Sequence, residues 1–461
     1  MMFHFVLASM LAGFSCGNAP HPLPPDATDA RDLASRIVAA APGDVVRVES
    51  GSYRGVITID KPLTLEGIGR PVIEGFGRGD LILITAPDVT VRGFDIRATG
   101  TDLDKENCGI RVLAPRAVIE DNRLEDVLFG IDLRGAPDSV VRGNTVGGKS
   151  LDIARRGDGL RIWKSDRARI ENNTLHDGRD AVLWYSTAVE VRGNRVERCR
   201  YGFHLMYSHQ VRIEHNELLG NSVGLYIMYS EGVDVRDNLI ARNRGPSGFG
   251  IGLKEVSDYR IGRNLIRENC VGMYIDDAPF RPGPAEICGN VISCNNTAME
   301  VLPNAKGNVI ADNAFFDNLR TVTPLGRGDL YSNAFSRGEG GNYWSDYIGY
   351  DEDGDGIGEW VHEPVALFSE LIEREPRLAV LRFSPAEQAI DFVARAIPAM
   401  RPGGVFVDEF PRTRLPTDAT AALTAGRVGR ASEEGFSAVR AALAAFALLV
   451  VSALAALGGM S

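Results

Sequence analysis

The sequence predicts an all-β protein, a parallel β-helix with about 22 residues per coil. A small residue followed by an apolar–any–apolar pattern recurs along the chain, as in Gly202–Leu205 and Gly224–Ile227. Apolar residues spaced by two are typical of strands, and self-similarity at this period is typical of a solenoid. Asparagine recurs beside that pattern at gaps of 21 to 29 residues, at Asn122, Asn144, Asn173, Asn194, Asn216, Asn238, Asn264, Asn290 and Asn313.

The N-terminal part of the chain contains two short elements. Residues 1–19 form a short apolar run that ends in small residues, which predicts a secretory signal peptide. Residues 27–340 are interpreted as the β-helix with its N-terminal cap. Leu33, Ile37 and Val38 fall on one helical face, so we expect a helix that covers the otherwise open end of the solenoid core.

Three coils exceed the period, around residues 147–158, 244–250 and 278–285. Insertions in a solenoid become loops on one side, often the binding side. Residues 341–400 differ in character, because an acidic glycine-rich loop precedes a helical stretch that begins with the capping box of Ser384 and Glu387. This region is interpreted as a small α-containing C-terminal cap or docking segment.

Residues 401–461 are interpreted as a linker and an apolar tail. The run Ala441–Leu457 carries no charge and is near the lower length limit for a membrane span. A membrane anchor that tethers the chain and an amphipathic or partner-docking helix are both compatible with it.

The net charge of −11 argues against a nucleic-acid-binding surface. Disulfides and buried free thiols are both compatible with the cysteine count, and no CxxC pair indicates zinc. Five of the six cysteines lie outside residues 1–19, at Cys108, Cys199, Cys270, Cys288 and Cys294.

One outward face of the coils is predicted to be a binding surface. Residues that flank the inward apolar pair of a strand point outward, and an exposed apolar and aromatic strip marks an interaction site. In the register that the repeat suggests, Tyr185 lies beside Met206. The residues expected to contact a partner are Trp163, Tyr185, Tyr226 and Tyr274.

A copper site is predicted on the same face. Met206 and Met228 share a register 22 residues apart, and adjacent strands lie about 4.8 Å apart, so two thioethers could meet one ion beside His204. Thioether and imidazole ligands favour Cu(I). Packing of the methionines against a partner is the alternative interpretation. Further candidate ligands are His209, His215 and Met273.

The acidic loop is a candidate calcium site. Carboxylates at alternate positions, Asp351, Asp353 and Asp355, resemble the start of a calcium-binding loop, and Glu359 follows them. A solvated acidic turn is the alternative.

Parallel β-helices often cleave or epimerise acidic polysaccharides, so an enzyme must be considered. Such chemistry needs paired carboxylates, or a base with charge-neutralising groups, in one groove. Asp276 and Asp277 are adjacent in sequence and so face opposite ways. Tyr201, Tyr226 and His204 resemble a proton-transfer set, but no convincing acid–base set is found.

Three segments together resemble the NosD family. They are the C-terminal stretch Gly341–Gly358, the Ser-Pro-Ala-Glu-Gln-Ala-Ile-Asp motif that begins at Ser384, and the Met-Tyr-Ser coils at 206–208 and 228–230. The resemblance covers about residues 30–405. It implies a non-catalytic periplasmic protein that docks on an ABC transporter made of a permease and an ATPase.

The resemblance also implies the route of the metal. Copper would be exchanged with a lipoprotein chaperone and delivered to nitrous oxide reductase, whose copper–sulfur centre needs it for maturation. Carried onto this sequence, the transient Cu(I) ligands are Met206, Met228 and His204. A β-helical lyase or epimerase and a metal-free docking scaffold remain the alternative functions.

Overall fold

The protein is described by a computed structural model that covers residues 28–326, 328–364, 367–381, 384–396 and 404–416. The predicted signal peptide at 1–19 and the apolar run at 441–457 lie outside these described residues. Within the described ranges, no helix is both long and apolar enough to cross a membrane.

The predicted parallel β-helix is confirmed. Each coil passes through three sheets in the same order, which we call sheet 1, sheet 2 and sheet 3, and successive coils pair in parallel. Sheets 1 and 3 contain 12 strands each and sheet 2 contains 14. In strands such as Val45–Val48 and Ile57–Ile59, buried and exposed side chains alternate, as the apolar spacing of two predicts.

The strands of sheet 1 are Val45–Val48, Thr64–Gly67, Thr90–Arg92, Val118–Glu120, Val140–Arg142, Arg169–Glu171, Glu190–Arg192, Arg212–Glu214, Glu231–Arg236, Ser257–Gly262, Ala285–Cys288 and Val309–Ala311. The strands of sheet 2 are Thr28–Asp29, Ser52–Arg54, Val72–Glu74, Asp95–Arg97, Arg123–Val127, Thr145–Gly148, Thr174–His176, Arg195–Glu197, Glu217–Leu219, Leu239–Ala241, Leu265–Arg267, Val291–Ser293, Ala314–Phe316 and Tyr343–Trp344. The strands of sheet 3 are Ile57–Ile59, Ile82–Ile84, Cys108–Val112, Phe129–Arg134, Leu160–Trp163, Asp180–Trp184, Tyr201–Met206, Val223–Met228, Phe249–Lys254, Val271–Asp276, Thr297–Val301 and Arg320–Pro324.

The recurring asparagines form a buried ladder at the corner between sheets 1 and 2. In each rung the Oδ1 atom of one asparagine accepts the backbone N–H and the side-chain amide of the asparagine one coil earlier, as Asn238 does from Asn216 at 2.9 and 3.0 Å. The ladder ends at Asn342, whose amide reaches Asp408 at 3.2 Å. A second ladder at the corner between sheets 2 and 3, which the sequence analysis missed, contains Asn221, Asn243, Asn269, Asn295 and Asn318.

The N-terminal end of the core is covered by helix α1, Ala30–Ala39. Leu33 and Ile37 are buried on the first coil, as the helical pattern predicts. Val38 is 71% exposed, so its assignment to the same face was wrong. The two buried positions are four residues apart and therefore lie above one another on the helix, whereas the next residue is turned away by about 100°.

The C-terminal end is closed by an aromatic cluster. Trp344 stacks on Phe315 of the last complete coil with ring centroids 4.3 Å apart, and Phe406 packs on the same ring. Asp408 is fully buried there and accepts the indole N–H of Trp344 at 2.8 Å. Residues 404–416, which fall within the predicted linker and tail at 401–461, instead pack into the cap.

The cap also contains two helices, of which the sequence predicted the second. Helix α2 is Leu367–Arg374 and helix α3 is Pro385–Ala396, and a 3-10 turn, Pro376–Leu381, lies between them. The Ser384 hydroxyl accepts the backbone N–H of Glu387 at 3.4 Å, which is half of the predicted capping box. Glu387 is buried and lies 3.9 Å from Arg320, so α3 contacts the C-terminal end of sheet 3.

The outer surface of sheet 1 is covered by charges that alternate in sign from coil to coil. Arg92, for example, lies between Glu66 at 2.7 Å and Glu120 at 3.4 Å. One column runs through Arg47, Glu66, Arg92, Glu120, Arg142, Glu171, Arg192, Glu214 and Arg236. A second column runs through Arg169, Glu190, Arg212, Asp234, Arg260 and Glu286. We call the pair the charge columns.

The three predicted insertions all lie beside sheet 3. Residues 147–158, which include the 3-10 turn Ile153–Arg155, and residues 244–250 precede strands of that sheet, whereas residues 278–285 follow one. The insertions therefore indicate that sheet 3 is the face that carries a binding site.

The five described cysteines are free thiols.

Candidate metal centre

Two columns of side chains cover the outer face of sheet 3. We name them after their central members. The methionine column runs in register through Arg134, Trp163, Trp184, Met206, Met228, Lys254 and Asp276. The histidine column runs through Arg111, Asp132, Arg161, Val182, His204, Tyr226, Gly252, Tyr274 and Glu300.

Met206 and Met228 are direct neighbours in the methionine column, as the 22-residue spacing predicts. Both are half-buried. Trp184, and not Tyr185, lies beside Met206 on the other side. The predicted register was wrong by one residue here because the pairing shifts between Asp180 and Val182.

His204 lies one step inward on the same strand and is only 7% exposed. Tyr201, Trp184 and Tyr226 surround the imidazole, with ring centroids 4.8, 6.4 and 6.2 Å away. The first two rings stand nearly perpendicular to the imidazole, whereas Tyr226 lies nearly parallel to it. The sequence places His204 on the outer face but does not reveal this aromatic enclosure.

Neither nitrogen of His204 has a hydrogen-bond partner, although both are buried. A buried polar group without a partner is costly, and such groups are a mark of ligand sites. The nearest charged atom to Nδ1 is Oδ2 of Asp180, at 3.8 Å, which is too long for a hydrogen bond. The unpartnered imidazole beside two thioethers fits a soft metal ion as the missing partner.

Asp180 is held in place by Arg200, whose Nε donates to Oδ1 at 2.9 Å and whose Nη2 contacts Oδ2. Burial alone would raise the pKa of Asp180, but His204 and Arg200 outweigh it and hold the pKa below its ordinary value. Asp180 is therefore a fixed negative charge beside the imidazole. Such a carboxylate is the usual outer partner of a metal-binding histidine.

In the coils that follow His204, aromatic side chains continue along the outer face of sheet 3. Tyr226 leans over Gly252, where a β-carbon would come within 2.5 Å of the tyrosine ring. Phe249 lies 6.3 Å from Tyr226 and stacks on Tyr274 at 4.4 Å. Burial raises the pKa of Tyr226 to about 12, so its phenol is neutral at physiological pH. Any larger residue at position 252 would displace the ring of Tyr226.

Three tyrosines stack along the corner that follows sheet 3, and we call them the tyrosine ladder. Tyr185 lies 5.2 Å from Tyr207, which lies 4.9 Å from Tyr229, and the rings are nearly parallel. All three adopt a left-handed backbone conformation, with φ between 51 and 52°. This conformation is unfavourable for an aromatic residue, so each tyrosine of the ladder costs some conformational free energy. Of its members only Tyr185 was predicted.

The N-terminal end of sheet 3 carries a charge-balanced network. Asp158 is buried between Arg161 and Arg179, at 3.2 and 3.0 Å, and Glu106 lies 2.8 Å from Arg161. The arginines are Arg111, Arg134, Arg161, Arg179 and Arg200, and the carboxylates are Asp80, Glu106, Asp132, Asp158 and Asp180. Because each charge has a counterpart, this end offers no unpaired cluster to an anionic polymer.

The other predicted copper ligands are not near His204. Met273 points into the core beside Met299, and both are fully buried. His215 is exposed at the corner between sheets 1 and 2, and His209 lies at the corner that leads into sheet 1. Met273 cannot be a ligand at this site because its position in the strand points inward. The two histidines were assigned to the site because they are close to His204 in sequence, but residues close in sequence lie on different sides of a coil.

The cysteine nearest to His204 in sequence is not a favourable metal ligand. Cys199, two residues before Tyr201, is buried, and burial raises the pKa of its thiol to about 12. Thiolate, and not thiol, is the strong metal ligand. In the two columns of sheet 3, the soft sulfur donors are Met206 and Met228.

The acidic loop holds its carboxylates close together. One oxygen atom each from Asp351, Asp353 and Asp355 lies within 4.8 Å of the others. Asp351 accepts the N–H groups of Gly354 and Gly356 at 2.6 and 3.0 Å, as in a tight Asx-type turn. Glu359 accepts the N–H of Glu352 at 3.3 Å. The arrangement suits both interpretations of the loop, so calcium binding stays a prediction.

Comparisons with known proteins place this geometry in context. A sequence model of the family described as "Periplasmic copper-binding protein (NosD)" matches residues 143–349. A "Probable ABC transporter binding protein NosD" of Pseudomonas aeruginosa is 33% identical over 402 residues, which cover 80% of this chain and 87% of that protein. A protein of the same description from Stutzerimonas stutzeri is 29% identical over 388 residues, which cover 81% and 87%.

Among solved structures, the A-module of the mannuronan C-5 epimerase AlgE6 of Azotobacter vinelandii superposes with a TM-score of 0.54. It is 15% identical and covers 68% of this chain and 96% of that module. At this identity the likeness shows the fold alone.

The fold and the site together define a β-helical protein with a thioether and imidazole face. The chain belongs to the NosD family, as the relative that is 33% identical shows.

Proposed function

We propose that the chain is a periplasmic copper-binding assembly factor. It binds Cu(I) at His204, Met206 and Met228 and passes it on for maturation of the copper–sulfur centre of nitrous oxide reductase. The observation that carries the proposal is the buried imidazole of His204, whose two nitrogens lack partners beside two thioethers in register. The description of the family as periplasmic and copper-binding supports both the metal and the compartment.

The geometry suggests the order in which the ligands bind the metal. The metal is the species that the protein transfers, and not a permanent cofactor. The thioethers are half-exposed and the imidazole is enclosed, so an arriving ion meets Met206 and Met228 first and His204 afterwards. Asp180 lies on the Nδ1 side of His204, which favours a proton on Nδ1 and leaves the Nε2 lone pair for copper. Neutral thioethers bind weakly enough to release the ion to an acceptor.

The partners of this function are proposed from the relatives and from the surface. The relatives are named for binding an ABC transporter, so we infer that the chain docks on the permease of such a transporter, whose ATPase drives the cycle. A copper chaperone lipoprotein would donate the metal and nitrous oxide reductase would receive it. Trp163, the tyrosine ladder and Tyr274 would contact these proteins, because they are exposed or half-buried and aromatic side chains are enriched in interfaces.

Copper binding is tested by anaerobic titration of the exported chain with Cu(I) against a competing chelator. The double variant Met206→Leu and Met228→Leu is expected to lose more than about 100-fold in affinity, since it removes two ligands and even the loss of an outer-shell partner costs 10- to 100-fold. The variant Met273→Leu is the matched control, because this methionine lies in the core. Stoichiometric, tight Cu(I) binding by the folded double variant would refute the site.

One observation favours a second candidate, a lyase or epimerase acting on uronate polymers. Tyr201 and His204 are adjacent, and Arg200 and Asp180 lie beside them, as in a proton-transfer site with a charge-neutralising group. The enclosure of His204 and the neutral phenol of Tyr226 oppose it. Turnover of a uronate polymer that disappears in His204→Gln would establish this alternative. A metal-free scaffold would bind its partners equally well with and without a copper chelator.

We further propose that the acidic loop binds calcium as a structural ion. Millimolar Ca²⁺ is expected to raise the unfolding temperature by a few degrees, because a ligand of the native state at roughly 100 times its Kd contributes about 2.7 kcal/mol. Asp353→Asn together with Asp355→Asn should abolish the rise, and Glu352→Gln in the same loop should retain it. An equal rise in all three proteins, measured by calorimetry, would show that the loop is only an acidic turn.

A further inference from the structure

We propose that the indole ring of Trp184 is part of the copper site and binds Cu(I) through its π face. This inference rests on the proposed function, since it concerns the ion held by Met206, Met228 and His204. It adds to that site an aromatic contact that determines affinity and that makes the bound ion visible in tryptophan fluorescence.

Trp184 lies next to the proposed copper ligands. Trp184 is the direct neighbour of Met206 in the methionine column, so their backbones are about 4.8 Å apart. The ring also stands at 79° to the imidazole of His204, with centroids 6.4 Å apart. An ion shared by Met206 and His204 is therefore beside the indole, within the range of about 6 Å at which a ring attracts a cation.

The charge of the bound ion also favours a contact with the indole. Two thioethers and an imidazole are neutral ligands, so the bound ion keeps its positive charge. On the other side of the methionine pair lies Lys254, whose ammonium group is paired with Asp276 at 3.0 Å. Because its charge is balanced in this way, the lysine neither binds nor attracts the ion, whereas the indole of Trp184 attracts a cation from the opposite side. Tryptophan is the aromatic residue that binds cations best.

Trp184 differs from Trp163, the next tryptophan along the column, in its surroundings. The ring of Trp163 already lies near two cations, Arg134 at 5.8 Å and Lys164 at 5.4 Å. Among the side chains that the structure describes, no lysine or arginine takes that place over Trp184. Its Nε1–H is buried and makes no hydrogen bond, so a polar contact does not explain the indole either. The face of Trp184 is thus available for an exogenous cation.

The test combines two readouts on the exported chain under anaerobic conditions. Cu(I) affinity is measured by chelator competition, and tryptophan emission is followed in the same titration. Trp184→Phe keeps an aromatic ring that attracts cations more weakly, and Trp184→Leu keeps an apolar side chain without a ring. Trp163→Phe is the matched control one coil away. The remaining tryptophans, Trp344 and Trp360, lie in the C-terminal cap and supply a constant background.

We expect Cu(I) to quench emission of the wild type and of Trp163→Phe, and to leave emission of Trp184→Phe nearly unchanged. Affinity should fall by about tenfold in Trp184→Leu and by less in Trp184→Phe, as for a partly desolvated cation–π contact. Wild-type affinity in Trp184→Leu, or quenching that persists in both Trp184 variants, would overturn the inference and leave the copper site standing. Absence of Cu(I) binding by the wild type would overturn both.

Discussion

Replacing Asn238 with alanine is expected to lower the free energy of unfolding by roughly 3–5 kcal/mol, because it interrupts the buried asparagine ladder. The side chain donates to the carbonyls of Ile213 and Arg236, both at 2.9 Å, and accepts the backbone N–H of Asn216. Without it, that N–H and these carbonyls lose their partner, and a small cavity remains. Urea unfolding followed by circular dichroism measures the loss.

Two further variants separate hydrogen bonding from volume. Asn238→Asp keeps the shape but cannot donate to the two carbonyls, so it is expected to be at least as destabilising as alanine. Asn304→Ala removes an exposed corner asparagine and should change stability by less than about 0.5 kcal/mol. Near-native stability of Asn238→Asp would mean that the ladder fills space and that its hydrogen bonds matter little.

Replacing Asp408 with alanine is expected to detach the C-terminal cap from the last coil. One oxygen of Asp408 accepts the backbone and side-chain N–H groups of Asn342, at 2.8 and 3.2 Å, and the indole N–H of Trp344. Their loss should cost about 3 kcal/mol or more, since each buried donor without a partner costs 1–3 kcal/mol. The emission of Trp344 should shift to the red as water reaches the indole.

The position of the damage is as informative as its size. Limited proteolysis of Asp408→Ala should cut within residues 404–416 and leave the coils intact, because a solenoid transmits stability only to neighbouring units. Glu409→Ala, at the exposed neighbouring position, should behave as the wild type. Loss of the whole β-helix at the same temperature as the cap would show that the cap is needed for the fold itself.

The fold could be predicted because one coil is repeated many times. The period of the asparagines and the alternation of apolar residues report the same geometry in every coil, so local irregularities average out. The contacts that close the C-terminal end could not be predicted, because they come from a segment distant in sequence. Phe406 and Asp408 contact Trp344 across more than sixty residues, and no repeat marks such a contact.

The site was predictable only where the register is regular. Met206 and Met228 lie in two regular neighbouring coils, and their juxtaposition followed from spacing alone. Trp184 was missed because one extra residue in the next strand shifts the pairing. The tyrosine ladder was missed for a different reason, since its members occupy a corner, where alternation no longer says which way a side chain points.

The charge columns of sheet 1 impose a parity on the number of coils. Loss of the single coil that carries Glu190 and Arg192 would stack Glu171 on Glu214, and Arg169 on Arg212. Like charges in direct cross-strand contact are destabilising. Loss of two neighbouring coils would restore opposite charges at the new junction. The apolar core and the asparagine ladder repeat with every coil and are indifferent to this count. Coils within this stretch are therefore expected to be gained or lost in pairs. The charged surface, and not the apolar core, restricts the number of coils that the β-helix can have.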